Sequence, residues 1–90
     1  MLLDHGADVN AKEAAGFTAL MYAIYSRNFA LVKLLLDRNA EINVADQSGN
    51  TPLHYAYGCQ VLPIIRELES RGANPDAVNK FGQKPHEVKP

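Results

Sequence analysis

The residues best suited to metal binding or nucleophilic catalysis are three histidines and one cysteine: His5, His54, His86 and Cys59. A helical zinc site needs a second ligand about three or four residues away, and no histidine has another histidine or a cysteine at that distance. A catalytic thiol needs a neighbouring group that lowers its pKa, and neither a histidine nor an acid has that spacing from Cys59. We therefore expect no metal site, no catalytic residues and no cofactor, and hence no enzyme.

Composition removes further classes of function. The sequence contains neither a glycine-rich phosphate loop nor a serine nucleophile elbow. Its formal net charge is -1 with scattered cations, which disfavours a nucleic-acid partner. No apolar run approaches the roughly 18 residues of a membrane span, and the first residues do not resemble a signal peptide. A single cysteine fits a reducing compartment, so we expect a soluble intracellular chain, cytoplasmic or alternatively nuclear.

The elements that position these residues repeat with a period of 33 residues. Residues 16–23 and 49–56 are two versions of one segment, a turn glycine followed by a helix start. Threonine accepts a free amide at a helix N-terminus, and proline suits the first helical position. The identical pairs include Gly16 and Gly49, Thr18 and Thr51, Leu20 and Leu53, Tyr22 and Tyr55, and Ala23 and Ala56.

Each repeat is predicted to contain two helices followed by an extended turn. Apolar residues at helical spacing predict helices at residues 18–26, 29–38, 51–58 and 62–71. Gly6, Asn39 and Gly72 follow the second helices at equivalent positions, and these residue types tolerate the left-handed backbone at a helix end. The segments 7–17, 40–50 and 73–81 are predicted to be turns with short extended arms.

This pattern resembles the ankyrin repeat, whose period and Thr-Pro-Leu-His-x-Ala signature it shares. The matching residues of the second copy are Asp46, Gly49, Thr51, Pro52, Leu53, His54 and Ala56. The resemblance implies an all-α repeat protein, an α-solenoid of helix-turn-helix units joined by β-hairpin-like loops. We expect a single domain over residues 1–90, comprising a partial repeat (1–12), two full repeats (13–45 and 46–78) and a partial C-terminal capping repeat (79–90).

The two ends of the predicted array differ. Lys84 and His86 stand where threonine and leucine are expected, so the last segment carries the polar surface that a terminal repeat needs. The first segment begins inside what should be a second helix, so its edge is predicted to be uncapped. We expect either a fragment of a longer array or self-association through this edge.

The resemblance implies that the chain binds another protein through its concave face and hairpin tips. Aromatic residues are abundant at those positions, and such rings dominate interface hot spots; the alternative is that they pack locally between repeats. A second functional hypothesis is a structural spacer within a larger protein, with no ligand of its own. The predicted protein-binding residues are Phe17, Tyr22, Tyr25, Gln47, Asn50, Tyr55 and Phe81.

Two asparagines suggest a modification. Asn10 and Asn43 each follow a leucine, five intervening residues, an acid and an aliphatic residue. This spacing is similar to that of ankyrin repeats modified by a 2-oxoglutarate-dependent asparaginyl hydroxylase. The simpler interpretation is that these side chains bond to backbone groups in turns.

Overall fold

The computed structural model describes residues 12–88, which contain four α-helices and two short 3-10 turns. The helix bounds agree with the sequence-based prediction to within one residue at each end, and the predicted all-α repeat fold is confirmed. Most of the predicted partial repeat 1–12, including its uncapped edge, lies outside the described residues. The helices are α1 (Ala19–Tyr25), α2 (Phe29–Asp37), α3 (Pro52–Cys59) and α4 (Leu62–Ser70), and the 3-10 turns are Ala14–Gly16 and Pro85–Glu87.

Side-chain caps set the start of three helices. The Thr18 hydroxyl accepts from the Met21 amide, and the Asn28 side chain accepts from the Leu31 amide. Thr51 caps α3 in the same way, and Pro52 follows it at the first helical position. Each such cap stabilises a helix by about 1 kcal/mol, which is why short helices can begin at these positions.

The turns within each helix pair are unusually strained. Arg27 and Gln60 both have a φ of 57°, in the left-handed region. A residue with a Cβ atom loses roughly 1–2 kcal/mol there. The chain accepts this cost because the turn lets the Asn28 amide bond to the Ala23 carbonyl and the Val61 amide bond to the Ala56 carbonyl. Asn39 and Gly72 also have positive φ after α2 and α4, as the sequence predicts.

The core lies between an inner layer, α1 and α3, and an outer layer, α2 and α4. Each inner helix packs against its own outer helix and against the inner helix of the next repeat, and α2 also packs against α4. Apolar side chains at helical spacing are consequently buried on one continuous surface. The largest are Leu20, Ile24, Leu35, Leu53, Ile64 and Leu68, each no more than 1% exposed.

Three tight turns, here called the fingers, project beside the inner helices. In the second finger the Asp46 amide donates to the Asn50 carbonyl and the Gly49 amide donates back to Asp46; the same bonds recur at residues 13–17 and 79–83. Backbone bonds join neighbours, from the Gln47 amide to the Ala15 carbonyl (2.8 Å) and from the Lys80 amide to the Ser48 carbonyl (2.9 Å). Within residues 12–88 the expected hairpin-like arms are therefore turns with one isolated bridge, Lys12 to Thr18, rather than paired strands.

Gly49 and Gly82 separate backbone strain from crowding. Both have left-handed φ values, 78° and 75°, but an added Cβ would lie 2.9 Å from the Lys80 nitrogen at Gly49 and would meet nothing within 4 Å at Gly82. We expect Gly82→Ala to lower the free energy of unfolding by about 1 kcal/mol. Gly49→Ala should lower it by about 1–2 kcal/mol more, because the third finger must shift. Urea denaturation followed by circular dichroism measures both, and equal losses would contradict crowding at Gly49.

Candidate functional site

The inner helices and fingers border a shallow depression of about 240 Å³, here called the concave depression. The fingers stack at a fixed spacing through their backbone bonds, and α1 and α3 pack side by side behind them. The surface therefore rests on regular backbone rather than on a loose loop. Its lining residues are Tyr25, Asn50, His54, Tyr55, Gly58, Cys59 and Val88.

Four of the predicted binding residues are open to solvent. Tyr22 and Tyr25 on α1 are 60% and 63% exposed, and Phe81 on the third finger is 73% exposed. Gln47 on the second finger is also exposed. The three rings contribute a large apolar area that the fold itself does not bury, which is the arrangement expected of interface anchors.

The other three predicted residues take part in packing between repeats. Phe17 and Tyr55 are half-buried and form an edge-to-face pair, with ring centroids 5.7 Å apart and an interplanar angle of 89°. The Tyr55 hydroxyl donates to the Asp46 carboxylate. Asn50 accepts from the Asn79 side chain at 2.9 Å. These residues support the surface from behind, so the local-packing alternative describes their contacts.

Asp46 and Asn79 brace two successive fingers, 33 residues apart. Asp46 accepts from the Ser48 and Asn50 amides at 2.8 and 3.0 Å. Asn79 accepts from the Phe81 and Gln83 amides at 2.9 and 3.0 Å. The sequence analysis did not select Asn79 as important, although its spacing from Asp46 is the signal that identifies it. This brace fixes the backbone that carries the exposed Phe81 ring.

His54 has a structural role, as its position in the helix-start motif predicts. Its side chain is 1% exposed. The Nδ1 atom accepts from the Thr51 amide at 3.0 Å, and Nε2 lies 2.9 Å from the Gln83 carbonyl oxygen. Because a carbonyl can only accept, Nε2 carries the proton and donates. His54 thus joins one repeat to the next and is not available for chemistry.

The remaining candidates for chemistry have no assembled site. Cys59 is a free, half-buried thiol at the edge of the concave depression. Among residues 12–88, no three histidine, cysteine or acidic side chains are grouped so that they could hold a metal ion. In the same part of the chain, none of the helices has the length and apolar character needed to cross a bilayer.

Asn43 connects two successive turns. Its side-chain oxygen accepts from the Asn74 amide at 2.7 Å, and its side-chain nitrogen donates to the Gly72 carbonyl at 3.5 Å. The side chain is used for turn chemistry in the folded state, so a modifying enzyme would have to displace these bonds. Hydroxylation of Asn43 stays a prediction, and Asn10 lies outside the described residues.

Comparison with known families identifies the fold. A family model for ankyrin repeats, in three copies, matches residues 1–79, and the chain belongs to this family. Ankyrin repeats are generally protein-interaction modules and generally lack catalytic activity. No curated protein matches the sequence significantly.

The Tyr55 hydroxyl provides a test of the packing described above. Burial, the hydrogen bond to Asp46 and repulsion from its negative charge raise the pKa of Tyr55 to about 12. In the unfolded chain this phenol ionises near its ordinary value of about 10. The folded state therefore binds one more proton between these pH values, and stability falls as pH rises from about 10 to about 12.

We expect an ultraviolet titration of the folded chain at its tyrosinate band to contain a late step near pH 12. Tyr55→Phe should remove that step and should reduce the loss of stability over the same pH range. Tyr22→Phe, which removes an exposed hydroxyl, is the control and should leave the late step in place. A late step that survives in Tyr55→Phe would contradict the assignment.

Proposed function

We propose that this chain is a non-catalytic module that binds another protein through Tyr22, Tyr25 and Phe81. The observation that supports this most directly is their exposure, at 60%, 63% and 73%, although other large apolar side chains are fully buried. A ring that contributes little to the core is costly to leave in water. Burial against a partner removes that cost.

Tyrosine suits this task because it buries a large rigid area at a small loss of side-chain entropy, and its hydroxyl can still hydrogen bond at the edge. Tyr25 lies at the concave depression, where a partner side chain can enter beside the ring. Gln47 is exposed on the neighbouring finger and can add a polar contact. We infer that the partner contributes apolar side chains to a rigid aromatic surface.

Phe17, Asn50 and Tyr55 contribute indirectly in this proposal. Their contacts to one another, to Asp46 and to Asn79 hold the fingers in one arrangement before a partner arrives. A surface that is already ordered loses less conformational entropy on binding. Substituting these residues should therefore weaken binding mainly by loosening the fingers.

The competing function is a structural spacer without a ligand. A spacer would have no requirement for exposed rings beside the fingers, so the exposure of Tyr22 and Tyr25 favours binding. We place the module inside the cell, in the cytoplasm or the nucleus, where a single free cysteine such as Cys59 is chemically stable.

The test compares proteins captured by the wild-type chain with those captured by Tyr22→Ala, Tyr25→Ala. Quantitative mass spectrometry identifies proteins that depend on the tyrosine pair, and calorimetry with the purified partner measures affinity. We expect the double variant to bind at least about tenfold more weakly, because each ring is an interface anchor. Its thermal unfolding should change little, since both side chains are exposed.

Leu34→Ala is the matched control, because Leu34 is an exposed apolar residue of the outer helix α2. It should capture the same partners with unchanged affinity. If every captured protein binds the tyrosine variant as well as the wild type, the chain does not use this surface. Capture of no specific protein by any form of the chain would favour the spacer.

A further inference from the structure

A second groove lies on the outer layer, between α2 and α4, and has no part in the function proposed above. It has a volume of about 470 Å³ and is here called the outer groove. Its apolar part comes from the first turns of the two outer helices. The lining residues are Phe29, Leu62, Pro63, Arg66, Glu67 and Ser70.

The apolar side chains of the outer groove are left partly in water. Phe29 and Leu62 occupy equivalent positions 33 residues apart, and they are 39% and 54% exposed. Neither belongs to the buried cluster between the helix layers. Leu62 and Pro63 begin α4, where proline needs no hydrogen-bond acceptor, so this edge is set by the helix start.

The charges around the outer groove are unevenly paired. Arg71 binds Asp37 at 2.8 Å and Glu67 at 2.6 Å, so it occupies both carboxylates nearest the groove. The third acid of this region, Glu69, accepts from the Tyr57 hydroxyl at 2.9 Å. The acids are therefore engaged with other groups.

Two cations at the groove have no acidic partner within residues 12–88. Arg66 lines the groove, and Lys33 lies with its Nζ atom 5.9 Å from the centroid of the Phe29 ring. None of the ion pairs in the described part of the chain includes either residue. An apolar floor thus meets two unpaired positive charges.

We propose that the outer groove binds an acidic, apolar segment of a partner protein. An apolar side chain of the segment packs on Phe29, Leu62 and Pro63, and neighbouring carboxylates face Lys33 and Arg66. Charge complementarity selects the occupant, because a basic segment would be repelled by both cations. Two cations are too few to bind a nucleic-acid backbone tightly, and the apolar floor offers nothing to phosphates.

The experiment selects peptides of about twelve residues, a length typical of groove-binding segments, from a random display library on the folded 90-residue chain. We expect enrichment of sequences in which an apolar residue lies close to aspartate or glutamate. The affinity of one enriched synthetic peptide is then measured by fluorescence anisotropy. Leu62→Ala should weaken its binding about tenfold, because Leu62 forms the apolar floor.

Paired charge variants test the electrostatic part. Lys33→Gln with Arg66→Gln should weaken binding about five- to tenfold, since each exposed ion pair contributes about two- to fivefold. Lys33→Arg with Arg66→Lys keeps both charges and should retain most of the affinity. Added salt should weaken binding of the acidic peptide to the wild type.

Tyr22→Ala with Tyr25→Ala separates the two proposals. This variant should bind the peptide as well as the wild type, so failure of the concave surface would not affect the result. Enriched peptides without acids, or binding that survives the glutamine variants or Leu62→Ala, would overturn the outer-groove proposal. Sedimentation gives a further overturning outcome, namely a dimer of the chain that Leu62→Ala converts to a monomer.

Discussion

The register between neighbouring repeats is the constraint on which the other features depend. Two short helices cannot bury both of their apolar faces alone, so each repeat completes its core against the next. Backbone bonds from Gln47 to Ala15 and from Lys80 to Ser48 fix the spacing at the fingers. His54 adds a side-chain bond to the Gln83 carbonyl. The helices, the concave depression and the outer groove all follow from this one spacing.

The fold was accessible from the sequence because its determinants are local. Thr18 and Thr51 cap helices wherever they occur before an apolar periodic segment, and the structure contains both caps. The 33-residue period then places each element. The fingers were less accessible, because whether two extended arms pair as strands or close as tight turns depends on bonds that no short pattern records.

The candidate site shows where sequence reasoning reaches its limit. Tyr22 and Tyr55 share residue type, helix position and motif, yet Tyr22 is exposed and Tyr55 is half-buried. Their neighbours explain the difference: Asp46 accepts from the Tyr55 hydroxyl, and Phe17 of the preceding repeat packs against its ring. The position equivalent to Asp46 in the first full repeat is Glu13. One methylene and a neighbouring ring thus change the role of the same residue.

The left-handed turns at Arg27 and Gln60 have a consequence for evolution and engineering. Most proteins lie only slightly above the stability that their function requires. Glycine at either position would relieve the steric strain of a φ of 57° without disturbing the helix layers. The chain therefore retains unused headroom at two solvent-exposed sites, remote from both grooves. New side chains could be tested on its surfaces at a cost that these two positions are able to absorb.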